Sequence, residues 1–565
     1  MAKTTGFLKI FKISVIAVVY SNFCKNEGMK KIMLVWLVLS SFAGLAQQDA
    51  WVYFTAKPNA QQYLDNPLQM LSQRALDRRA NQNIPLDSKD LPVYEPYSAA
   101  IAAASGITVM AKSKWLNALH IRGAQNDINA LLTLDFVTRI DFANKALNVA
   151  GKNTIQSSVT MANKNQETAA NFNYGTSSNQ IQMLNGQLLH QQGYTGSGKI
   201  IAVLDAGFPG VNTAQPFQRL LNNNQILGGY DFVNRNENMY TGNSHGTMVL
   251  STMGGYKENS LVGTAPDASY YLFITENAAS ENPLEESLWV EAAEMADSLG
   301  VDVINTSLGY NNYDNPAYSY TYADMNGTTS FIARGADIAF SRGMIVVVSA
   351  GNDGSTAWHY IATPADAFNV LTVGAVTATE NYAAFSSVGP TADGRIKPDV
   401  MAQGQAAVVS GTTGTIATNN GTSFSGPIIA GMVASLWQAL PTKTNVEIVQ
   451  IIRQSSDRFT APNDQYGYGI PDFAQALSTT LAVADSVLEP FVAYPNPVDA
   501  ILYFKLPVTT DKATLTLYNS FGQMIAQKEI NAEHPSIEVG NLNTGIYFYS
   551  LAAANGTRTG KISKK

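Results

Sequence analysis

Cysteine is almost absent from this chain, since Cys24 is the only cysteine among 565 residues. A single thiol excludes an intramolecular disulfide, and we also exclude a cysteine protease and a cysteine-ligated zinc protein. Charged residues are scarce as well, at 14% of the chain with a net charge of -7. Phosphate contacts need clustered Lys and Arg, which occur only near the N-terminus and in the tail Lys561–Lys565. We therefore expect no nucleic-acid partner.

Long apolar runs are absent from the chain after its N-terminal region. No later apolar segment approaches the roughly 20 residues that span a bilayer. Before Gln47, the basic start Met29-Lys-Lys leads into a short apolar stretch and then into the small residues Gly44-Leu-Ala46. That order is typical of a secretory signal peptide. We assign residues 1–46 as a signal region in which translation starts at Met29 or Met33. An N-terminal membrane anchor is the alternative.

The length of the chain predicts several domains, of which the first is a small α+β unit at residues 47–150. Its predicted strands are Trp51–Phe54, Ile107–Met110, Leu119–Arg122 and Val137–Asp141, and its two predicted helices are Leu71–Arg79 and Asn126–Leu132. Residues 151–180 are rich in Asn, Gln, Ser and Thr and are predicted to form a linker.

Residues 181–485 alternate short apolar strands with helices. The strands are predicted at Ile200–Leu204, Val301–Ile304, Ile345–Val348 and Val370–Val373, and helices at Glu285–Leu299 and Thr328–Arg342. This alternation predicts an α/β domain whose parallel sheet is covered by helices on both faces, with functional residues at the carboxyl ends of the strands. Residues 490–565 show short alternating strands between turn residues, which predicts a small all-β sandwich.

Three glycine-flanked segments of the α/β domain each carry one reactive side chain. Asp205 ends an apolar strand, His245 precedes a predicted helix, and Ser423 opens another. Serine is a weak nucleophile that needs a base, histidine serves as that base near neutral pH, and a carboxylate fixes the imidazole tautomer. Asn352, just beyond a further strand, could donate its amide N–H to an oxyanion together with the backbone N–H of Ser423.

Each of these residues also has an ordinary structural interpretation. Asp205 and Asn352 could form turns, His245 could be a solvated turn residue, and Thr422 or Ser423 could cap a helix. Their combination is more specific, because only His245 among the five histidines lies in a polar, glycine-rich context. The chain order Asp, His, Ser also matches one of the known triad orders.

The four segments resemble the motif blocks of the subtilisin family of serine peptidases over about residues 181–480. The resemblance implies a secreted serine endopeptidase that forms an acyl-enzyme on Ser423, with His245 as general base and acid, Asp205 orienting His245, and Asn352 in the oxyanion hole. It further implies that the main specificity pocket is formed by Ser307, Leu308, Gly309, Ser349, Ala350 and Gly351. The chain departs from the family pattern at Ala206, Met248, Phe424, Ser425 and Ile428, which concerns the shape of the pocket rather than the reactive atoms.

The two flanking regions resemble accessory domains of secreted peptidases. Residues 47–150 are similar in architecture and position to the family's inhibitory propeptides, which implies a domain that fills the cleft until the linker is cleaved. The segments Tyr494–Val498, Gly545–Tyr549 and Gly560–Lys565 resemble the type A sorting domain of the type IX secretion system. That resemblance implies an outer-membrane secretion machinery as a partner, and a protein that is secreted or attached to the cell surface. A generic β-sandwich adhesion module is the alternative.

The remaining expectations concern ligands and alternative functions. The chemistry requires no cofactor and we assign no metal site, although the resemblance allows a structural calcium ion; the loop Asn311–Pro316 has oxygen ligands without a regular spacing. Glu285, Glu286, Glu291 and Glu294 are predicted to form a solvated helix face. We expect a monomer that acts on protein or peptide substrates. An inactive surface adhesin or scaffold, or a processing peptidase with one narrow partner, remains open at this point.

Overall fold

The computed structural model describes residues 47–148, 172–486 and 492–565, the last range with gaps at 507–511, 520–522, 532 and 554–555. The predicted signal region and most of the predicted linker lie outside these residues. Backbone contacts divide the chain into two compact units, one ending at Leu477 and the other formed by Ser478–Lys565. Within the described residues, no helix is both long and apolar enough to cross a membrane.

The N-terminal domain of the first unit is built on an antiparallel sheet of four strands in the order β2-β3-β1-β4. The strands are β1 (Gln47–Phe54), β2 (Ile107–Ser113), β3 (Ala118–Ala124) and β4 (Val137–Phe142), and the helices are α1 (Ala60–Leu64), α2 (Gln73–Asn81), α3 (Glu95–Ala102) and α4 (Gln125–Ala130). The predicted number of helices was therefore wrong. Helix α3 was missed because its small, alanine-rich sequence has little apolar periodicity.

Strand β1 shows how this sheet contributes to two cores. Ala50, Val52 and Phe54 are buried in the core of the N-terminal domain itself. Trp51, which points to the opposite face, belongs to the core of the following domain and stacks on Phe331 at a ring-centroid distance of 5.2 Å. Because successive side chains of a strand point to opposite faces, this one sheet packs against both its own helices and the next domain.

The second sheet of this unit has seven parallel strands in the order β13-β12-β11-β10-β5-β9-β6. These are β5 (Ile200–Asp205), β6 (Ile226–Asp231), β9 (Ser269–Ile274), β10 (Val303–Thr306), β11 (Ile345–Ser349), β12 (Leu371–Val376) and β13 (Val400–Gln403); β7 (Tyr256–Lys257) pairs with β8 (Leu261–Val262), and β14 (Ala407–Ser410) with β15 (Ile416–Asn419). Every residue of β5 and β11 is buried, as the continuous apolar runs of a sheet covered on both faces require.

Helices cover both faces of this sheet, which confirms the predicted fold class. On one face α8 (His245–Gly254) packs against α11 (Thr422–Ala439), and on the other α9 (Leu284–Leu299) packs against α10 (Phe331–Ser341). The other helices are α5 (Ser178–Gln182), α6 (Gln187–Gln191), α7 (Gln218–Asn222), α12 (Asn445–Gln454) and α13 (Phe473–Ser486).

Two polar segments are more ordered or more buried than the sequence analysis predicted, namely the C-terminal end of the predicted linker and the glutamate face of α9. The residues at the end of the predicted linker form helical turns on the sheet domain, where the Gln180 amide exchanges hydrogen bonds with the backbone of Val408. The predicted solvated face of α9 is also covered, since Glu285, Glu286 and Glu294 are buried and Glu291 is half-buried. Polar composition did not distinguish contact with water from contact with protein donors.

The donors on the α9 face come from two places. The Glu294 carboxylate accepts hydrogen bonds from the Ser113 hydroxyl at 2.6 Å and from the Trp115 backbone N–H at 2.9 Å, both in the N-terminal domain. The Glu286 carboxylate accepts from the hydroxyls of Tyr313 and Tyr320 at 2.6 and 2.5 Å. Buried carboxylates need such protein donors in place of the water that burial removes.

The second unit consists of two antiparallel sheets, β16-β17-β20 and β19-β18-β21-β22. The strands are β16 (Val492–Tyr494), β17 (Ile501–Lys505), β18 (Ala513–Tyr518), β19 (Met524–Ile530), β20 (Ser536–Glu538), β21 (Gly545–Ala553) and β22 (Gly556–Lys564). Phe504 from the first sheet and Leu551 from the second lie in one core. The predicted β-sandwich is confirmed.

Candidate active site

The carboxyl edge of the parallel sheet brings the predicted catalytic residues together. Asp205 is the last residue of β5, and Asn352 follows β11, which ends at Ser349. His245 is the first residue of α8 and Ser423 the second residue of α11, two helices in contact with each other. Strand ends and helix N-termini thus meet at the edge where open parallel sheets carry their sites.

Asp205 and His245 are joined by a hydrogen bond of 2.8 Å between Oδ1 and Nδ1. The carboxylate is fully buried, and Oδ1 also accepts the Ala206 backbone N–H at 2.7 Å. Burial acts to lower the pKa of His245, but the charge of Asp205 and its hydrogen bond outweigh burial and raise the pKa above its ordinary value. With Nδ1 held by the carboxylate, Nε2 is the ring nitrogen that can take up a proton.

Ser423 does not cap its helix, because the N-cap residue of α11 is Gly421 and no side chain caps the helix there. The Ser423 hydroxyl lies 3.5 Å from the carbonyl oxygen of Ser307. Among the described residues it forms no hydrogen bond with His245; such catalytic hydrogen bonds are often long in structures without substrate. The helix-capping interpretation of Ser423 is therefore wrong.

Two buried serines hold the first turn of α11. Pro427 lies inside the helix and has no N–H to donate to the Ser423 carbonyl oxygen four residues earlier. The Ser307 hydroxyl donates to that oxygen at 3.1 Å, and the Ser349 hydroxyl donates to the Thr422 carbonyl oxygen at 2.8 Å. The segment that carries Ser423 is thereby tied to the ends of β10 and β11.

The Asn352 amide is oriented by Thr422, a residue that the sequence analysis considered only as a helix cap. Asn352 Oδ1 accepts the backbone N–H of Thr422 at 2.9 Å and its hydroxyl at 3.1 Å. Because the amide oxygen is engaged, Nδ2 remains as the donor of this side chain next to Ser423. The signal for Thr422 was its place in the Gly-Thr-Ser sequence directly before the serine.

Comparisons with known proteins address the family. Residues 196–469 match the family model of the subtilase family. Subtilisin NAT from Bacillus subtilis subsp. natto is 31% identical over 293 residues, which cover 51% of this chain and 68% of that protein. Subtilisin BL from Lederbergia lenta is 31% identical over 50% of this chain and 91% of that protein. The chain belongs to the subtilase family.

The flanking regions of this subtilase match family models as well. Residues 49–162 match the peptidase S8 propeptide domain of Bacteroidota, and residues 492–565 match the secretion system C-terminal sorting domain. The subtilase is a subtilisin-like serine endopeptidase, and its sorting domain indicates secretion by the type IX system, with attachment to the cell surface or release. We call residues 47–148 the pro-domain below. Among solved structures, MycP1 from Mycobacterium smegmatis is 21% identical, with a TM-score of 0.42 over 56% of this chain and 88% of that chain.

The six residues predicted to form the specificity pocket follow the ends of two adjacent strands of the subtilase. Ser307, Leu308 and Gly309 follow β10, while Ser349 ends β11 and is followed by Ala350 and Gly351. Leu308, Gly309 and Gly351 are at least partly exposed and the other three are buried. Gly351 has a φ of 109°, and a Cβ there would lie 2.8 Å from the Ser387 hydroxyl, so only glycine fits. Their contact with substrate stays a prediction.

The other histidines of the first unit are engaged elsewhere. His120 is buried between Ser287 and Asp49, and His190 is buried against the Thr264 carbonyl oxygen, where desolvation lowers its pKa to about 4. His359 is exposed and bonds to a carbonyl oxygen five residues earlier. Their positions agree with the choice of His245 as the candidate base.

One cluster of three carboxylates among the described residues of the subtilase could hold a metal ion. It comprises Glu276, Glu281 and Glu285, whose ligand atoms lie within 4.8 Å of one another. Glu276 accepts a hydrogen bond from the Tyr310 hydroxyl, and the two oxygens of Glu285 accept backbone N–H groups at 3.0 Å each. Burial raises the pKa of Glu285 to about 8. Because protein donors already bind the carboxylate oxygens of Glu276 and Glu285, this cluster supports no metal assignment.

Proposed function

We propose that this subtilase hydrolyses peptide bonds through an acyl-enzyme on Ser423, with His245 as general base and then general acid. The observation that carries the proposal is the 2.8 Å bond between buried Asp205 and His245, at the edge where Ser423 opens α11. In the first step Ser423 Oγ bonds to the substrate carbonyl carbon while its proton passes to His245 Nε2. That proton then goes to the leaving amine, and water releases the acyl group in the reverse sense.

The negative charge of the tetrahedral intermediate requires donors on its oxygen. Asn352 Nδ2 and the Ser423 backbone N–H serve as these donors; the proposal is supported by the two hydrogen bonds from Thr422 that engage the amide oxygen of Asn352. Ser423 also lies at the N-terminus of an 18-residue helix, where the helix dipole favours negative charge. The groups are fixed before substrate binds, so no reorganisation is needed during the reaction.

Hydrolysis of casein by the secreted, matured protein tests this proposal directly. We expect casein fragments from the wild-type protein and none from a Ser423→Ala protein whose linker has been cut by an added protease. The alternative function, an inactive adhesin or scaffold, predicts a folded protein that has lost its pro-domain and cleaves neither casein nor a peptide library. A library profile also separates a broad enzyme from a processing peptidase with one narrow partner.

Replacing Asn352 by alanine is expected to lower kcat by about 10²–10³-fold, the loss measured when one oxyanion donor is removed from subtilisin. KM should change little, because the donor acts on charge that develops only in the transition state. Thr422→Val is the matched control: it removes the hydroxyl that orients Asn352 but keeps the backbone N–H that donates to Oδ1. We expect a smaller loss for Thr422→Val; equal kcat in Asn352→Ala and wild type would remove Asn352 from the oxyanion hole.

A further inference from the structure

The pro-domain contacts the rest of the subtilase through its sheet and through one of its helices. Its four-stranded sheet packs against α9 and α10. Its helix α2, which the chain inserts between β1 and α3, lies against the C-terminal part of α9 and the segments that lead into β5, β10 and β11. The contact of α2 is made by its arginines, and two of them, Arg78 and Arg79, are buried.

Arg74 and Arg78 both donate to the sheet domain. Arg74 donates to the carbonyl oxygens of Gly300 at 3.0 Å and Gly198 at 2.9 Å, and its guanidinium lies 2.5 Å from the Asp302 carboxylate. Arg78 donates to the Asp297 carboxylate and to the Val301 carbonyl oxygen. All of these acceptors lie outside the pro-domain. We call the acceptor set, Asp297 and Asp302 with the carbonyl oxygens of Gly198, Gly300 and Val301, the exosite.

The Asp297 carboxylate is the most deeply buried charge of the exosite while α2 covers it. Asp297 is fully buried, and its second oxygen accepts from Arg79 at 2.7 Å. Burial acts to raise the pKa of Asp297, but the charges of Arg79 and Arg78 outweigh it and lower the pKa. A buried charge is stable only when paired, so a helix that covers Asp297 has to bring cationic groups to it, as α2 does with Arg78 and Arg79.

The exosite lies on the edge of the sheet opposite the candidate active site. Gly198 precedes β5 and Asp302 precedes β10, whereas Asp205 ends β5. Strand β5 has six residues and therefore separates its two ends by about 20 Å. A ligand of the exosite therefore reaches none of the catalytic groups, and its binding adds to any contact that the pro-domain makes at the cleft.

We propose that this edge is an exosite for a helix with arginines at positions i and i+4, and that it holds the pro-domain on the enzyme after the chain between them has been cut. The occupant is helix α2 of the same chain. The proposal rests on the proposed function in so far as the natural cut is made by the enzyme itself. It adds an anchor that acts independently of the active site and delays activation.

The test uses the full chain with Arg74→Ala and Arg78→Ala together. Both residues leave with the pro-domain, so the mature enzyme is identical to wild type and any difference reflects how firmly the pro-domain is held. In a Ser423→Ala background, a recognition sequence for an added protease within residues 149–171 supplies the cut. Dissociation of the two fragments is then followed by size-exclusion chromatography. We expect the double variant to release its pro-domain at least tenfold faster than the chain with both arginines.

Arg139→Ala is the matched control, because the guanidinium of Arg139 pairs with Asp141 inside the pro-domain; its release rate should equal wild type. Should the double variant fail to fold, Arg74→Ala alone decides, since that side chain is 41% exposed. Equal release rates for the arginine variants and wild type would overturn the exosite. Failure of the proposed function would give a different result. A chain that keeps Ser423 would then not cut itself, while the arginine variants cut by the added protease would still release the pro-domain faster.

Discussion

Replacing Ser423 by alanine is expected to lower kcat by about 10⁶-fold, the loss measured when the nucleophile of the subtilisin triad is removed. The substitution removes only the hydroxyl group of Ser423. The helix turn that carries this residue is held by the Ser307 and Ser349 hydroxyls. The protein should therefore fold as before and bind peptides with little change. The measurement is hydrolysis of a peptide substrate by protein whose linker has been cut by an added protease.

His245→Ala should cause a loss of similar size, and the double variant should lose no more than either single variant. The reason is that the serine is a strong nucleophile only while the imidazole can take its proton, so the two residues act as one unit. Losses that multiply in the double variant would show that Ser423 and His245 act independently, and would contradict the triad.

Asp205→Asn is expected to lower kcat by about 10⁴-fold at neutral pH, because the amide presents N–H groups to His245 and favours the wrong tautomer. The shift in pH dependence follows from the same contact. Neutral His245 is the active base, so the raised pKa places the acid limb of kcat/KM above the ordinary imidazole value. Without the carboxylate, burial alone acts on the imidazole and lowers its pKa, so the limb moves to lower pH.

Asp231→Asn is the matched control for this prediction. Asp231 is also a buried aspartate at the end of a strand of the same sheet, but it accepts hydrogen bonds from the backbone N–H and the amide of Asn234. We expect its acid limb to coincide with that of the wild-type protein. An Asp205→Asn protein with an unchanged acid limb would show that the carboxylate does not set the pKa of His245.

The candidate site was predictable because its residues lie in short, recognisable sequences. Asp205, His245, Asn352 and Ser423 each lie within two residues of a glycine, and the alternation of strands and helices predicted which ends would meet. The orienting role of Thr422 and the anchoring role of Ser307 were missed. Both depend on hydrogen bonds between segments 70 and 116 residues apart in the chain, which no local pattern records.

The surface between the pro-domain and the sheet domain was the least predictable part of the fold. Glu294 on α9 and Arg78 on α2 have the spacing of exposed charged faces, yet both are buried because another domain of the same chain covers them. Helical periodicity shows which residues share a face, but the partner of that face comes from a distant segment. Glu294 was therefore assigned to a solvated face although its hydrogen-bond donors lie in the pro-domain.

The central claim is that Ser423 is the nucleophile of this subtilase. The most direct measurement is to treat the matured protein with a fluorophosphonate probe and to locate the adduct by mass spectrometry. The account predicts one adduct on Ser423, abolished by Ser423→Ala and strongly slowed by His245→Ala. An adduct on another residue, or labelling that persists in the Ser423→Ala protein, would contradict it.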